Sequence, residues 1–226
     1  MTIVVGDLHG KYEVVDYVLD TFDEDIVFIG DYLDSFKRTK TDQLRVLDTV
    51  LLAVEAEPNR VTALKGNHEL SYMAWDERCS GWNSGMQNEV YSRPMHLLKD
   101  YVWVLDTLIS HAGVSNALLE QLNTNLTQYL EDGKLLGAGY ARGGNAPVGG
   151  LYWCDWYKEF EPVIGVPQIV GHTGYRPQGS YNGIILDGNS FNIDCLDFVP
   201  QVIRVETKEI IDLPIKYLGD RGYVNG

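Results

Sequence analysis

The chain has 226 residues, 45% of them hydrophobic and 22% charged, the balance of a globular protein with one good-sized core. Its formal net charge of -14 excludes nonspecific binding to DNA or RNA, whose affinity comes from lysines and arginines on phosphates. The same charge repels anionic ligands at long range unless a local positive centre offsets it. The three cysteines, Cys79, Cys154 and Cys195, are odd in number and far apart, so neither a disulfide framework nor a CxxC metal spacing is expected. A reducing cytoplasm is the expected location, that of the host if the chain is viral. The first strand is expected to start at Thr2, which leaves no signal peptide before it, and no apolar run approaches a membrane span.

Residues 2 to 29 read as a βαβ unit. Thr2 to Val5 is a strand, Val14, Val15, Val18, Leu19 and Phe22 recur at helical spacing, and Asp25 to Ile29 is the next strand. A second helix is expected over Thr41 to Ala56, with Leu44, Leu47, Leu51 and Val54 inward, Asp42 or Thr41 at its cap and Pro58 past its end. Arg60 to Leu64 is the third strand. Beyond it, Trp75, Gly81, Trp82 and Gly85 suggest a helix and then loops, and Met86 to Lys99 a further helix interrupted at Pro94. Tyr101 to Leu105 and Thr107 to Ser110 read as strands joined at Asp106. Ser115 to Leu130 reads as one helix capped by Ser115, with Leu118, Leu119, Leu122, Leu126 and Tyr129 on its apolar face.

Residues 137 to 150 are a glycine-rich loop. Gly183 to Leu186, Phe191 to Asp194 and Gln201 to Val205 then read as a short antiparallel meander with a turn at Asp187-Gly188-Asn189. The fold class is α/β. We expect a four-layer α/β/β/α sandwich of two mixed sheets, with the site at the C-terminal ends of the strands and all 226 residues in a single domain.

Five polar blocks each follow a short apolar run: Gly6-Asp7-Leu8-His9-Gly10, Gly30-Asp31-Tyr32-Leu33-Asp34, Gly66-Asn67-His68-Glu69, Ser110-His111-Ala112-Gly113 and Gly171-His172-Thr173. Four of the five histidines fall inside them, which leaves His96 as a structural residue. Asp7 and His9 share a face if the chain is extended. Asp31 has two oxygens and can bridge two cations, Asn67 offers a neutral amide oxygen, and His111 and His172 offer imidazole nitrogens. Any one of these alone is more often a turn residue, a cap or a satisfied core histidine. Five such strand ends together point to a metal site. The donor set of carboxylate, imidazole and amide, without thiolate, suits Mn²⁺, Fe or Zn²⁺ better than Ca²⁺, and Mn²⁺ is the expected ion.

At these blocks the chain resembles the calcineurin-like metallophosphoesterases. It is most similar to their phosphoprotein phosphatase branch, which includes phage-type serine/threonine phosphatases and dinucleoside tetraphosphatases. The family pattern GDxHG, GDxxDR, GNHE, a histidine followed by a small residue, and GH is met here by GDLHG, GDYLDS, GNHE, SHAG and GHT. The Phe191-Asn192-Ile193-Asp194 segment is similar to the family's last sheet segment. The resemblance implies two divalent ions. Asp7, His9 and Asp31 would hold one, and Asp31, Asn67, His111 and His172 the other. It implies His68 as general acid, oriented by Asp34. That pairing agrees with the habit of histidine to donate protons near neutrality when a carboxylate fixes its tautomer.

The implied reaction is phosphoester hydrolysis by a hydroxide bridging the two metals. The expected substrate is a phosphomonoester of a phosphoprotein or a nucleotide. Dinucleoside polyphosphate hydrolysis is the alternative, and a nucleic-acid phosphodiesterase or a metal-binding scaffold stands behind both. One position departs from the pattern, because Ser35 stands where the family has a phosphate-gripping arginine. Arg142, between glycines, or Lys37 or Arg38, from the same loop, are the candidates to replace it. Trp153, Trp156 and Tyr157 read as core or pocket wall, and Asp155 either meets the site or makes a loop hydrogen bond.

Overall fold

The computed structural model describes residues 1–73, 78–132, 137–174, 184–197 and 199–215. Trp75 and Gly183, which the expectations above include, lie outside these residues. The first sheet has the order β10-β9-β1-β2-β3, built from β1 (Thr2–Val5), β2 (Asp25–Phe28), β3 (Val61–Ala63), β9 (Gln201–Arg204) and β10 (Glu209–Asp212). β1, β2 and β3 run parallel, and β9 joins β1 antiparallel. The second sheet has the order β4-β5-β6-β8-β7, from β4 (Tyr101–Val104), β5 (Thr107–Ser110), β6 (Gln168–Val170), β7 (Ile185–Asp187) and β8 (Ser190–Asn192). β5, β6 and β8 are parallel, while β4 and β7 are antiparallel edges.

Alternation along the strands places the layers. Ile3, Val5, Ile26 and Phe28 face helices α1 (Tyr12–Thr21) and α2 (Lys40–Ala56), together with Val14, Val18, Leu47 and Val50. The intervening Val4, Val27 and Ile29 point the other way and pack on Ile109, Ile169, Phe191 and Ile193 of the second sheet. The second sheet's far face, through Leu108, meets Leu118, Leu119, Leu126 and Tyr129 of helices α5 (Asn116–Leu122) and α6 (Leu126–Glu131). This is the expected four-layer sandwich. Between these layers in sequence lie the short α3 (Asn67–Tyr72) and α4 (Gln87–Tyr91).

Several local expectations are corrected. α2 begins one residue early and is capped by Thr39, in a reciprocal box with Asp42, not by Thr41 or Asp42. The Met86 to Lys99 helix is reduced to α4 between two 3-10 turns, Ser84–Met86 and Met95–Leu97. His96 sits exposed on the second of these. The Ser115 to Leu130 helix is two, α5 (Asn116–Leu122) and α6 (Leu126–Glu131), because Asn123 turns left-handed and Asn125 caps a fresh start. Ser115 holds the cap position without a cap bond and donates instead to Glu159 O at 2.7 Å. The C-terminal strands form no meander of their own. β7 and β8 complete one sheet, β9 and β10 the other, and β10 was not foreseen. Among the described residues no helix is long and apolar enough to cross a membrane.

Candidate metal centre

The site forms where the turns after β1, β2, β3, β5 and β6 meet. The first two turns are hydrogen-bonded to each other. Asp31 O accepts from Leu8 N at 3.0 Å and His9 N at 2.7 Å, and Tyr32 O accepts from Gly10 N at 2.9 Å. A single buried carboxylate ties in the third: Glu69 accepts from Asp31 N at 2.8 Å, Tyr32 N at 2.9 Å and Gly66 N at 2.9 Å. The sequence reading missed Glu69, although it stands inside the GNHE block. Four of the seven non-glycine residues with positive φ among the described residues are His9, Asp31, Asp34 and His172. Backbone strain is thus concentrated where the side chains must converge. Gly66 and Gly171 allow this approach, since a Cβ on either would overlap Asp31 Oδ1 or Asp7 Oδ1 respectively.

The donor atoms come together in two groups. His9, Asp31 and His68 offer ligand atoms within 4.8 Å of one another, and so do Asp31, His111 and His172. Asn67 joins the second group, its Oδ1 lying 2.8 Å from His111 Nε2 and 2.9 Å from His172 Nδ1. Asp31 is common to both, with Oδ1 3.4 Å from His111 Nε2 and Oδ2 3.7 Å from His9 Nε2. Asp7 lies beneath. Its Oδ2 accepts from His172 N at 2.9 Å, while its Oδ1 is buried without a hydrogen-bond partner.

Tautomers decide whether this cluster suits a cation. His111 Nδ1 is 3.0 Å from Ile29 O and His9 Nδ1 is 2.7 Å from Leu33 O, so in each ring Nδ1 carries the hydrogen. Burial pushes both imidazoles down to about 3, so they are neutral. In His9 the neighbouring His68 and Lys11 add to that effect. Each Nε2 therefore turns a lone pair toward the site. The Nε2 of His111 meets the oxygen of Asn67, lone pair against lone pair, at 2.8 Å. Such a contact is repulsive unless a cation lies beside it. Asp7 and Asp31 are likewise pushed well above the usual carboxylate range, mainly by burial. Asp194 and Asp31 act on Asp7, and Glu69 and Asp194 on Asp31. Facing lone pairs, an orphaned carboxylate oxygen and clustered acids fit divalent ions.

The remaining expected residues separate into those that meet this centre and those that do not. His68 Nδ1 lies 2.8 Å from Asp34 Oδ2, while its Nε2 points inward, 3.7 Å from Asp31 Oδ2. Asp34 also accepts from Tyr72 Oη at 2.5 Å. His68, Asp34 and the metal-binding candidates His9, Asp31, Asn67 and His172 line a cavity of about 640 Å³, and Arg142 lines it too. Arg142 Nε lies 3.0 Å from Asp155 Oδ2 and its Nη2 donates to Thr173 Oγ1 at 2.8 Å. Asp155 makes the loop hydrogen bonds foreseen, its Oδ1 accepting from Tyr157 N and Lys158 N, and does not itself line the cavity.

Lys37 and Arg38 are not part of this lining, although they follow Ser35. Arg38 pairs with Glu13 at 2.8 Å, and Lys37 is exposed, its backbone N–H donating to Ser35 Oγ. The cavity carries one cation that the sequence reading overlooked, Arg78, whose guanidinium stacks 4.1 Å over the Trp82 ring. Trp153 is pocket wall, Trp156 stacks on Phe160 in the core, and Tyr157 is 43% exposed, belonging to neither.

A family model described as calcineurin-like phosphoesterase matches residues 2–173. No curated protein sequence gives a significant match. Among solved structures, a point mutant of a cold-active protein tyrosine phosphatase matches with a TM-score of 0.60 at 16% identity, covering 92% of this chain and 76% of its own. Another structure titled as a cold-active protein tyrosine phosphatase gives a TM-score of 0.55 at 16% identity, over 86% of this chain and 69% of its own. At these identities the likeness is one of fold.

Proposed function

The chain belongs to the calcineurin-like phosphoesterases, metal-dependent phosphoester hydrolases, and on that premise we propose that it is a two-metal phosphomonoesterase of the serine/threonine phosphatase type. The observation that carries the proposal is the convergence of His111 Nε2, His172 Nδ1 and Asn67 Oδ1 on one point, with Asp31 shared between them and His9. Asp7, His9 and Asp31 would hold one ion, and Asp31, Asn67, His111 and His172 the other. Mn²⁺ is our choice, with Fe and Zn²⁺ compatible with the same donors. When bound, the ions supply Lewis acidity toward phosphoryl oxygens and a water acidic enough to attack near neutral pH.

The chain's own residues do the rest. Asp34 holds His68 through Nδ1, so that Nε2 faces the cavity and, in the imidazolium form, gives its proton to the departing alkoxide. Tyr72 holds Asp34 in turn, so the acid is set by a two-step chain of hydrogen bonds. Arg142 takes the place of the arginine absent at Ser35. With Nε given to Asp155 and Nη2 to Thr173, its Nη1 is the donor left for a phosphate oxygen. Lys37 and Arg38 drop out of that role. Dinucleoside polyphosphate hydrolysis remains a second reading, favoured by Arg78, a second cation on the same cavity that an additional phosphate would meet. We take the whole chain to act as one domain, in a reducing compartment, since its three cysteines are free and buried.

The deciding experiment assays the purified protein against phosphoserine and phosphothreonine peptides, nucleotides and dinucleoside polyphosphates. Each is tested after chelation and after addition of Mn²⁺, Zn²⁺ or Mg²⁺. Phosphopeptide turnover that chelation abolishes and Mn²⁺ restores is the expected result. Turnover confined to dinucleoside polyphosphates would establish the second reading, and full activity after exhaustive chelation would overturn both.

A further inference from the structure

We propose that Cys79 is a positioning residue that holds the Asn67 amide with its oxygen turned toward the metal centre. The proposal rests on the reading of Asn67 as a metal ligand. An asparagine amide is nearly symmetric in shape, yet only its oxygen can bind a cation, so one end must be anchored. On the Oδ1 side stand His111 and His172. Once their nitrogens turn lone pairs to an ion, neither can donate to that oxygen, and they no longer fix the amide. The anchor must lie at the other end.

There, Asn67 Nδ2 donates to Cys79 Sγ at 3.0 Å. The sulfur makes two further contacts, and the Cys79 backbone adds a third bond to the same group. Ser71 Oγ donates to it at 2.9 Å, its own S–H reaches Asn67 O at 3.3 Å, and Cys79 N donates to Ser71 Oγ at 3.2 Å. Ser71 and Asn67 are one turn apart on α3, so the helix presents both to Cys79. The result is a closed ring of weak bonds around a buried thiol, with Cys79 also at the cavity wall. A simpler account makes Cys79 a small apolar filler, as buried cysteines often are. The two accounts separate on whether the acceptor or the volume matters.

The test measures Mn²⁺ affinity of the chelated protein by electron paramagnetic resonance of free Mn²⁺, with no assay of turnover. Cys79→Val keeps an apolar side chain, one carbon larger than the thiol, and removes the acceptor, and it should weaken binding of one ion by about 10–100-fold, the usual cost of losing a partner behind a metal ligand. Cys79→Ser keeps an acceptor and should stay within about threefold of wild type on the same scale. Wild-type affinity in Cys79→Val, or an equal loss in both variants, would overturn the proposal. If Cys79→Val fails to fold, Ser71→Ala removes the hydroxyl that orients the sulfur and should give a smaller loss of affinity. Unchanged affinity there would count against the proposal in the same way. Asn67→Ala supplies the independent control, because unaltered binding in it would remove the metal-ligand reading itself, whatever Cys79 does.

Discussion

His68 and Arg142 face one cavity, and each is held by a buried carboxylate, Asp34 for the first and Asp155 for the second. The two pairs make separable predictions. His68→Asn removes the proton donor, so turnover of alkyl phosphates should fall by about 10²–10⁴-fold, while p-nitrophenyl phosphate, whose leaving group needs no proton, should lose far less. Steady-state kinetics on both substrates checks this, and an equal loss on both would remove the acid role. Asp155→Asn leaves Arg142 charged but loosely held. Its KM should rise by about tenfold with kcat changed less, the signature of weakened ground-state binding.

Legibility at this scale followed a simple physical line. Asp7, His9, Asp31, Asn67, His111 and His172 could be found in the sequence because a polar residue beside glycine just past an apolar run is conspicuous. Glu69 was overlooked although the GNHE block contains it, and Tyr72 and Cys79 could not be found, because nothing in the sequence states that they reach Asp34 and Asn67. Lys37 and Arg38 misled for the opposite reason. They are near Ser35 in sequence, but the turn directs Arg38 to Glu13.

Elements carry the site through their ends. β6 is followed by Gly171, where Asp7 Oδ1 occupies the space a side chain would need. Gly171→Ala should therefore push the Asp7 carboxylate aside and weaken cation binding without altering any charge, which calorimetric titration with Mn²⁺ would reveal; unchanged affinity would mean that the carboxylate has room to move. α2 does no chemistry, yet its cap stands beside the loop that bears Asp34. Thr39→Ala breaks the reciprocal box with Asp42 and should cost about 1 kcal/mol in chemical denaturation, with activity per folded molecule retained. Apart from β10, the strands and α1 and α2 were legible from apolar runs and periodicity. The break between α5 and α6 was not, because Leu118, Leu119, Leu126 and Tyr129 keep one apolar face while the backbone stops and restarts at Asn123 and Asn125. Nor does a period-2 run state its partner, so β7, β8 and β9 read as neighbours when they divide between two sheets.

For the molecule as a whole, a net charge of -14 and a buried group of carboxylates make cations part of the stability balance. Mn²⁺ at 100 times its Kd should stabilise the fold by about 2.7 kcal/mol over the chelated protein, read from denaturant titrations of both forms. Binding should also release protons. Asp7 and Asp31 are pushed up, so they take up protons at higher pH than free carboxylates and a bound ion displaces those protons, while His9 and His111 are pushed down and contribute little to the release. Affinity should then rise with pH, and calorimetry in buffers of different ionisation enthalpy should show net release. Proton uptake on binding would contradict this assignment.

The pairing of β9 with β1 has a temporal consequence. Every side chain assigned to the two cations precedes residue 174, yet the strand that shields β1 on its outer side is synthesised some thirty residues later. Until it leaves the ribosome, a nascent chain exposes the open margin of its first sheet, including the strand that leads into Asp7. Chaperone dependence and aggregation should therefore peak late in translation, and a ribosome-stalled fragment ending before Gln201 should stick to its neighbours although it already carries every side chain proposed to hold a cation.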